Sequence, residues 1–385
     1  MMSPFRLLGA GCRFLSTNSR PPLHKIFPSK KLVNRMLFDL DSRLTFRKLL
    51  PVYEQVYAQL DSSTEDLSIP SSVRAHDVMI MKKVLEKTRH RTKSTNRHLL
   101  ALENELLYMA AQMGHRDAAA LLAFDTLCNP ASQSEEDMNY AKLMVKDFYR
   151  AGHPLTLKLT GDLALANGDH AAAEENYLKF LEKEADTFLA GEVYGQLGKI
   201  SFLRSAFSQA EERFLHAIRL SPLEYSVQSY FYLGQLYMNS DPLKARSLLE
   251  SAASQGFKES FKTLGHLEMN YFCNMPKARE WFKLGMELGE LECMVGCFDC
   301  AIALEDFALA QDSLKRLELM AKTDKIYQEL YTQFVDYRHD KLSLLESYKA
   351  GKALDVSGSI YATENRKIVS SFMCISNTMD FYGKQ

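Results

Sequence analysis

The sequence has no run of apolar residues long enough to cross a membrane as a helix. Such a helix needs about 20 predominantly apolar residues, and the longest candidate, from Cys293 to Leu304, contains Asp299. Any contact with a membrane is therefore expected to be peripheral. Strand patterns are also missing, because β-branched runs are scarce while Leu, Ala, Glu and Lys are abundant, a composition that favours helix. The formal net charge of −1 gives the whole chain no attraction to nucleic acid or lipid.

The sequence motifs of common enzyme classes are missing as well. There is no phosphate-binding P-loop, no Gly-x-Gly-x-x-Gly after a strand, no His-Glu-x-x-His and no Gly-x-Ser-x-Gly. The ten histidines have no acidic partner at a suggestive spacing. With no convergent acid, base or nucleophile, the sequence predicts no enzymatic activity and no cofactor.

The seven cysteines are odd in number and scattered, which predicts free thiols in a reducing compartment. Cys293, Cys297 and Cys300 share one face of a predicted helix, so three thiolates could converge on a metal ion. No second cysteine or histidine pair completes such a site. Because these positions also form the buried face of a repeat, we predict that they pack in the core, and we predict no metal.

The first forty residues have the composition of a targeting sequence. Seven arginines and lysines precede the first acidic residue, Asp39, and serines and apolar residues are interleaved with them. An Arg-rich, Ser-rich and acid-free start is typical of a mitochondrial presequence, which we assign to residues 1–20 with cleavage after Leu15. The alternatives are a secretory signal, whose apolar core Arg13 would interrupt, and a disordered basic tail.

What the sequence does contain is a pattern that returns along its middle. Each copy has a small residue, an alanine further on, and then an aromatic residue or leucine. The alanines lie 37, 35 and 33 residues apart, and a weaker fifth copy places Ala310 another 32 residues on. This period indicates stacked helix pairs, each of which buries its apolar face against its neighbours. The four stronger copies are Gly161 with Ala173 and Tyr177, Gly198 with Ala210 and Phe214, Gly234 with Ala245 and Leu249, and Gly265 with Ala278 and Phe282.

The residue types fit the close crossing of two helices in a tetratricopeptide unit. Small residues let the backbones approach, the aromatic fills the remaining gap, and Pro222 ends the second helix because proline cannot continue its hydrogen bonds. The later copies, whose second helices end at Gly256 and Gly289, resemble Sel1-like repeats. The sequence predicts an all-α fold, a tetratricopeptide/Sel1-like right-handed superhelix (an α-α solenoid). We expect an N-terminal helical region over residues 21–100, the repeat domain over 101–345 and a poorly ordered tail over 346–385.

In such a superhelix the first helix of each pair lines the concave face. The positions predicted to point inward carry amides and charges of both signs, a mixture that suits a peptide backbone or another polar segment. An exposed polar side chain with no partner is an equally good explanation of each position. The candidate partner-binding residues are Lys158, Asp162, Glu192, Lys199, Gln228, Gln235, Asn239, Lys262, His266 and Asn270.

A basic run between Lys82 and His98 contains seven lysines and arginines and one acidic residue, Glu86. One interpretation is contact with RNA or with anionic lipid headgroups. The other, which we favour, is a solvated helix end and loop. No aromatic residue is interleaved that could stack on bases.

Several blocks of the sequence, some of them outside the helix-crossing positions, carry a resemblance to one family. The chain is similar to the fungal mitochondrial proteins needed to export the C-terminal tail of cytochrome c oxidase subunit II across the inner membrane. The resemblance covers about residues 20–345 and excludes the last part of the chain. The blocks are Ile26-Phe27-Pro28, Asn34, Leu37-Phe38, Leu40-Asp41, Arg43-Leu44-Thr45, Leu159-x-Gly161-Asp162-Leu163, Ala190-Gly191-Glu192-Val193, Gly256-Phe257-Lys258-Glu259, Phe261-Lys262-Thr263-Leu264-Gly265, Asn270-Tyr271-Phe272 and Glu280-Trp281-Phe282-Lys283.

The resemblance implies a matrix protein held peripherally on the inner face of the inner membrane. Its implied partners are subunit II and an Oxa-type insertase, and it implies no catalysis, no cofactor and no residue-level active site. The alternative function is an RNA-associated mitochondrial translation factor, for which the basic run is the motivation. The mixed charge of the repeat surface argues against it, because an RNA-binding solenoid would be strongly basic.

Overall fold

A computed structural model describes residues 20–60, 70–129 and 133–349, and every regular element in those ranges is a helix. The predicted all-α fold is therefore confirmed. The predicted presequence and all but the first residues of the predicted tail lie outside the described residues. The chain divides into two compact units between Ala185 and Asp186, a boundary that the repeat pattern does not mark.

The first unit consists, in its described part, of nine helices. Three of them cover the segment 23–60, at the start of the predicted N-terminal helical region. They are α1 (Leu23–Ile26), α2 (Lys30–Asp39), α3 (Phe46–Gln59), α4 (Ala75–Thr92), α5 (Arg97–Gln112), α6 (Arg116–Cys128), α7 (Glu135–Arg150), α8 (Pro154–Ala166) and α9 (His170–Leu181).

The core of the first unit lies among α2 to α6. Tyr53 of α3 is completely buried there, and its hydroxyl donates a hydrogen bond to the main-chain carbonyl of Met81 at 2.8 Å. Two buried carboxylates are compensated by arginine: Asp77 accepts from Arg43 at 2.8 Å, and Glu103 accepts from Arg89 at 3.0 Å. Pairing of this kind is required because an uncompensated buried charge is costly.

The second unit consists of ten helices up to Lys349. They are α10 (Phe188–Leu203), α11 (Phe207–Leu220), α12 (Leu223–Tyr237), α13 (Pro242–Ser254), α14 (Lys258–Asn270), α15 (Met275–Glu287), α16 (Leu291–Ala303), α17 (Phe307–Ala321), α18 (Lys325–Tyr337) and α19 (His339–Lys349). Helix α19 runs four residues past the predicted end of the repeat domain.

Consecutive helices of the second unit pack as hairpins, α10 with α11, α12 with α13, α14 with α15, and α16 with α17. The first helices of successive hairpins also touch, α10 against α12 and α14 against α16. In the first unit, α8 and α9 form a hairpin of the same kind. This arrangement is an α-solenoid, in which each pair covers its apolar face with the next pair.

The small residues lie where the repeat pattern predicted. A Cβ atom added to Gly161 would lie 2.6 Å from the Tyr177 ring, and one added to Gly198 would lie 2.6 Å from the Phe214 ring. Contacts this short do not occur, so each glycine permits the ring to lie against the backbone of the partner helix. Phe282 is enclosed on two sides, because both Gly265 and Gly296 face its ring.

Two kinds of cap end the helices: glycine C-caps, which the sequence predicted, and Asp or Asn N-caps, which it did not. Gly114, Gly152, Gly256 and Gly289 end their helices with positive φ angles between 65° and 88°, as predicted for glycine C-caps. In the second kind, an Asp or Asn precedes most second helices and accepts a hydrogen bond from the main-chain N–H three residues on. These N-caps are Asp169, Asp241, Asn274 and Asp306.

Candidate partner-binding surface

Each first helix of the repeats places predicted binding residues at positions that are at least partly exposed. They lie on α8 (Lys158, Asp162), α10 (Glu192, Lys199), α12 (Gln228, Gln235) and α14 (Lys262, His266, Asn270). Asn239 lies two residues beyond the end of α12, whereas Asn270 is the last residue of α14. The two asparagines therefore differ in position relative to their helix ends.

On α8 the structure brings Lys158 and Asp162 together. The Lys158 ammonium lies 2.8 Å from Oδ2 of Asp162, one turn further along the same helix. The hydroxyl of Tyr177 donates to the other carboxylate oxygen at 2.8 Å. Burial and the negative charge of Asp162 raise the pKa of Tyr177, so the phenol stays protonated and continues to donate. The pair is thus held in place by the same ring that fills the α8–α9 crossing.

On α14 the side chains of Lys262 and His266 lie one turn apart and face α16. The Lys262 ammonium lies 3.0 Å from a carboxylate oxygen of Glu292 in α16. His266 meets the Phe282 ring edge to face, with the ring centres 5.1 Å apart. Burial lowers the pKa of His266, and Lys262 acts in the same direction, against Glu292 and Asp299. The imidazole is therefore neutral at neutral pH and offers one donor and one acceptor.

Asp299 of α16 anchors the last helices of the described chain. Its carboxylate accepts three hydrogen bonds from the Arg338 guanidinium, at 2.9, 3.1 and 2.8 Å, and a fourth from Lys341 at 3.0 Å. Burial opposes ionisation of Asp299, but the charges and hydrogen bonds of Arg338 and Lys341 outweigh it and hold its pKa below the ordinary value.

The sequence reading missed this network, together with Glu292. The available signal was Asp299 within the otherwise apolar run from Cys293 to Leu304, where it had no predicted role beyond interrupting that run. A buried aspartate needs a cationic partner, so its position alone could have prompted a search for one.

The residues of α10 and α12 lie on helices in direct contact. Glu192 and Lys199 are half-buried on α10, while Gln228 is exposed and Gln235 half-buried on α12. The α8 pair belongs to the first unit and the remaining candidates to the second. That all ten residues line one concave surface stays a prediction.

The three cysteines of α16 are completely buried. Burial raises the pKa of Cys293 and of Cys300 to about 12, and it raises the pKa of Cys297 as well. A thiol must lose its proton to bind a metal ion. Within the described ranges no group of three potential metal ligands occurs. The side chains instead pack against the neighbouring helices, where Cys293 faces Gly285 of α15 and the Cys300 sulfur lies 4.0 Å from that of Met269 in α14.

A family model described as the MSS2 N-terminal domain matches residues 19–115. Protein MSS2, mitochondrial, from Saccharomyces cerevisiae is 41% identical to this chain over 349 residues, which are 87% of this chain and 97% of the yeast protein. Among the helices described, none is long and apolar enough to span a membrane.

Solved structures of low sequence identity also match. PilF of Pseudomonas aeruginosa is 16% identical, with a TM-score of 0.45 over 57% of this chain and 97% of its own. The type IV pilus biogenesis factor PilW is 15% identical, with a TM-score of 0.43 over 56% of this chain and 98% of its own. Yeast Tom70 is 14% identical, with a TM-score of 0.41 over 77% of this chain and 59% of its own.

Proposed function

Because this chain belongs to the MSS2 family of mitochondrial proteins, we propose that it is a non-enzymatic assembly factor of the mitochondrial matrix. It binds protein segments on the first helices of its repeats. The observation that carries the proposal is that different residues form the helix crossings and the exposed surface. Glycines and rings occupy the crossing between the helices, while polar side chains of α8, α10, α12 and α14 stay accessible.

The proposed client is the C-terminal tail of cytochrome c oxidase subunit II, and the proposed working partner is an Oxa-type insertase. The support is the resemblance of the sequence blocks, several of which coincide with the candidate surface. The block from Phe261 to Gly265 lies in α14 and contains Lys262. The block from Leu159 to Leu163 lies in α8 and contains Asp162. The factor acts peripherally on the matrix side of the inner membrane.

The chemistry of the surface suits an extended polar segment. Gln228 and Gln235 can each donate to and accept from a peptide backbone. Ion pairs such as Lys262 with Glu292 present charges of both signs without a net field. Binding through amides and balanced charges tolerates variation in the client sequence, which is what transient handling of a tail requires.

A deletion strain tests the function. Without the factor, subunit II should be synthesised at a normal level while its tail remains on the matrix side, where protease added to mitoplasts does not reach it. A tail that reaches the intermembrane space at the normal rate would remove the proposal. Recovery of crosslinked RNA with the purified factor, together with normal tail export, would favour a translation factor instead.

Surface variants test the site. Lys199→Ala with Gln235→Ala removes polar side chains from α10 and α12, and should abolish co-purification of subunit II from solubilised mitochondria. The matched control is Glu212→Ala with Lys283→Ala, which removes exposed charges from the second helices α11 and α15. Equal capture by both variants would show that the client does not use the first-helix face.

A further inference from the structure

Helix α4, the turn after it and the first residue of α5 carry five basic side chains that form no ion pair with the acidic residues that the structure describes. Lys83, Lys87 and Arg91 recur every four residues along α4 and so share one helix face. Lys93 and Arg97 follow in the turn and at the first position of α5. We refer to these five residues as the basic corner. Arg91, Lys93 and Arg97 are exposed, and the two lysines of α4 are half-buried.

The acids nearest to the basic corner in sequence already have partners. Glu86 binds Lys82 at 2.7 Å, and Glu103 binds Arg89 at 3.0 Å. No acidic residue lies between Glu86 and Glu103 in the sequence. In the part of the chain that the structure describes, none of the five corner residues forms an ion pair. The corner therefore presents net positive charge to solvent.

Helix stability explains only part of this charge. Arg91 lies in the last turn of α4, where a cation interacts favourably with the helix dipole. Arg97 lies in the first turn of α5, where the same dipole disfavours a cation. Lys93, with φ of 50°, caps α4 in the left-handed region, which does not call for a positive charge.

We propose that the basic corner binds the headgroups of an anionic lipid surface. Clustered lysines and arginines are attracted to such surfaces over about one Debye length. Leu100, one turn after Arg97 in α5, is 43% exposed and provides an apolar side chain for contact below the headgroups. Between Lys83 and Arg97 there is no Phe, Tyr or Trp on which a base could stack, which favours lipid over RNA.

This site deepens the proposed function by naming the chemistry of membrane attachment. It rests on the proposed function only for which membrane is bound, because the positive charge of the corner comes from its own five residues. Tail export in cells and vesicle binding by purified protein are separate measurements, so either proposal can fail while the other stands.

Vesicle flotation tests the corner. The protein should begin at Ser16, the predicted mature end, because the basic leader would itself bind anionic lipid. It should float with vesicles of roughly four parts phosphatidylcholine to one part cardiolipin, and not with phosphatidylcholine alone. The triple variant Arg91→Gln, Lys93→Asn, Arg97→Gln should bind the anionic vesicles more weakly by about 100-fold. Binding of the unmodified protein should weaken as salt is raised.

The matched control removes the same charge from another helix of the first unit. Lys142, Lys146 and Arg150 are exposed on α7 at four-residue intervals, but α7 also carries Glu135, Glu136, Asp137 and Asp147. Replacement of the three by Gln should change vesicle binding by less than about threefold.

Circular dichroism should show both triple variants folded, since all six replaced side chains are exposed. Equal loss in the two variants, or unchanged binding by the corner variant, would overturn the proposal. Binding of single-stranded RNA by a protein that ignores the anionic vesicles would also overturn it.

Discussion

At the scale of single residues, the packing of three helix pairs, α8 with α9, α10 with α11 and α14 with α15, depends on a glycine that faces a ring. Gly161 faces Tyr177 in the first unit, and Gly198 faces Phe214 in the second. Both rings are completely buried, so neither can move toward solvent to admit a larger neighbour. A single methyl group at these positions therefore tests the packing directly.

Gly198→Ala should lower the free energy of unfolding by about 1–2 kcal/mol. The new Cβ would lie 2.6 Å from the Phe214 ring, and overpacking of this kind costs about 1–3 kcal/mol, partly offset by the better helix propensity of alanine. Gly195→Ala, one turn earlier in α10, is the control, because its Cβ would meet nothing closer than the Ser229 hydroxyl at 3.2 Å. Urea unfolding that ranks the two variants the other way would contradict this account.

His266 should make the protein less stable in mild acid. Burial lowers the pKa of His266 in the folded state, so the unfolded chain binds a proton more readily. The contribution of the neutral imidazole to stability is therefore fully present above the ordinary histidine pKa of about 6.5. It is lost as the pH falls below that value. His266→Gln should reduce the loss of melting temperature between about pH 7.5 and about pH 5.5.

The control for this pH dependence is His170→Gln, at an exposed position at the start of α9. It should leave the pH dependence unchanged. His115, whose pKa burial also lowers, should preserve a residual slope in both variants. An identical slope in wild type and His266→Gln would show that the imidazole gains no proton on unfolding.

At the scale of elements, the last two described helices are held by one carboxylate. Asp299 is 13% exposed and Arg338, which caps α18, is 11% exposed, so their ion pair is shielded from water. On α18 Phe334 is buried, and Tyr331 and Val335 are partly buried against the same core, while on α19 Leu345 is buried. Docking of α18 and α19 should therefore depend on this pair as well as on apolar contact.

Asp299→Ala should free α18 and α19 before it unfolds the rest of the second unit. The change leaves the Arg338 charge without its partner, and an unsatisfied group of this kind costs about 1–3 kcal/mol. Amide exchange should rise between Lys325 and Lys349 and stay near the wild-type rate in α10 to α13. Lys341→Gln, which removes a partner that is 36% exposed, should have a smaller effect. Uniform acceleration along the unit would argue against a local anchor.

How far the sequence predicts an element depends on whether the signal is local. Glycine C-caps and the glycine–ring crossings follow from neighbouring residues, and the structure confirms them at Gly256, Gly289 and Gly198. The Asp299–Arg338 pair joins residues far apart in sequence, so no spacing rule could reveal it. The polar faces were located from the repeat, but the engagement of Lys262 with Glu292 was not, because it depends on the register of two neighbouring first helices.

At the scale of the whole molecule, the repeat pattern predicts a continuous stack, while the structure divides between Ala185 and Asp186. The copies at Gly161 and Gly198 lie on opposite sides of that division. The repeat pattern identifies the small and large residues at the crossing within each helix pair. It carries no information on how closely one pair packs against the next. The division was therefore beyond what the pattern could predict.

The division into two units predicts how far the effect of a destabilising substitution extends along the chain. Gly161→Ala, whose Cβ would lie 2.6 Å from the Tyr177 ring, should raise amide exchange most in α8 and α9 and less with distance along the chain, because solenoid repeats are coupled to their neighbours. Exchange in α14 to α17 should stay within about twofold of wild type. A rise of equal size in both units would mean that the chain unfolds as one cooperative body.

The buried thiols of α16 provide a measure of how often this helix opens in the native protein. An alkylating reagent offered to the native protein would modify Cys128 and Cys273 at once, because both are exposed. Cys293, Cys297 and Cys300 would react only as often as α16 opens, because the thiolate must attack the reagent and neither base nor reagent reaches the buried sulfur while the helix is closed. The time course of their labelling would thus count openings of this one repeat, without any probe being attached.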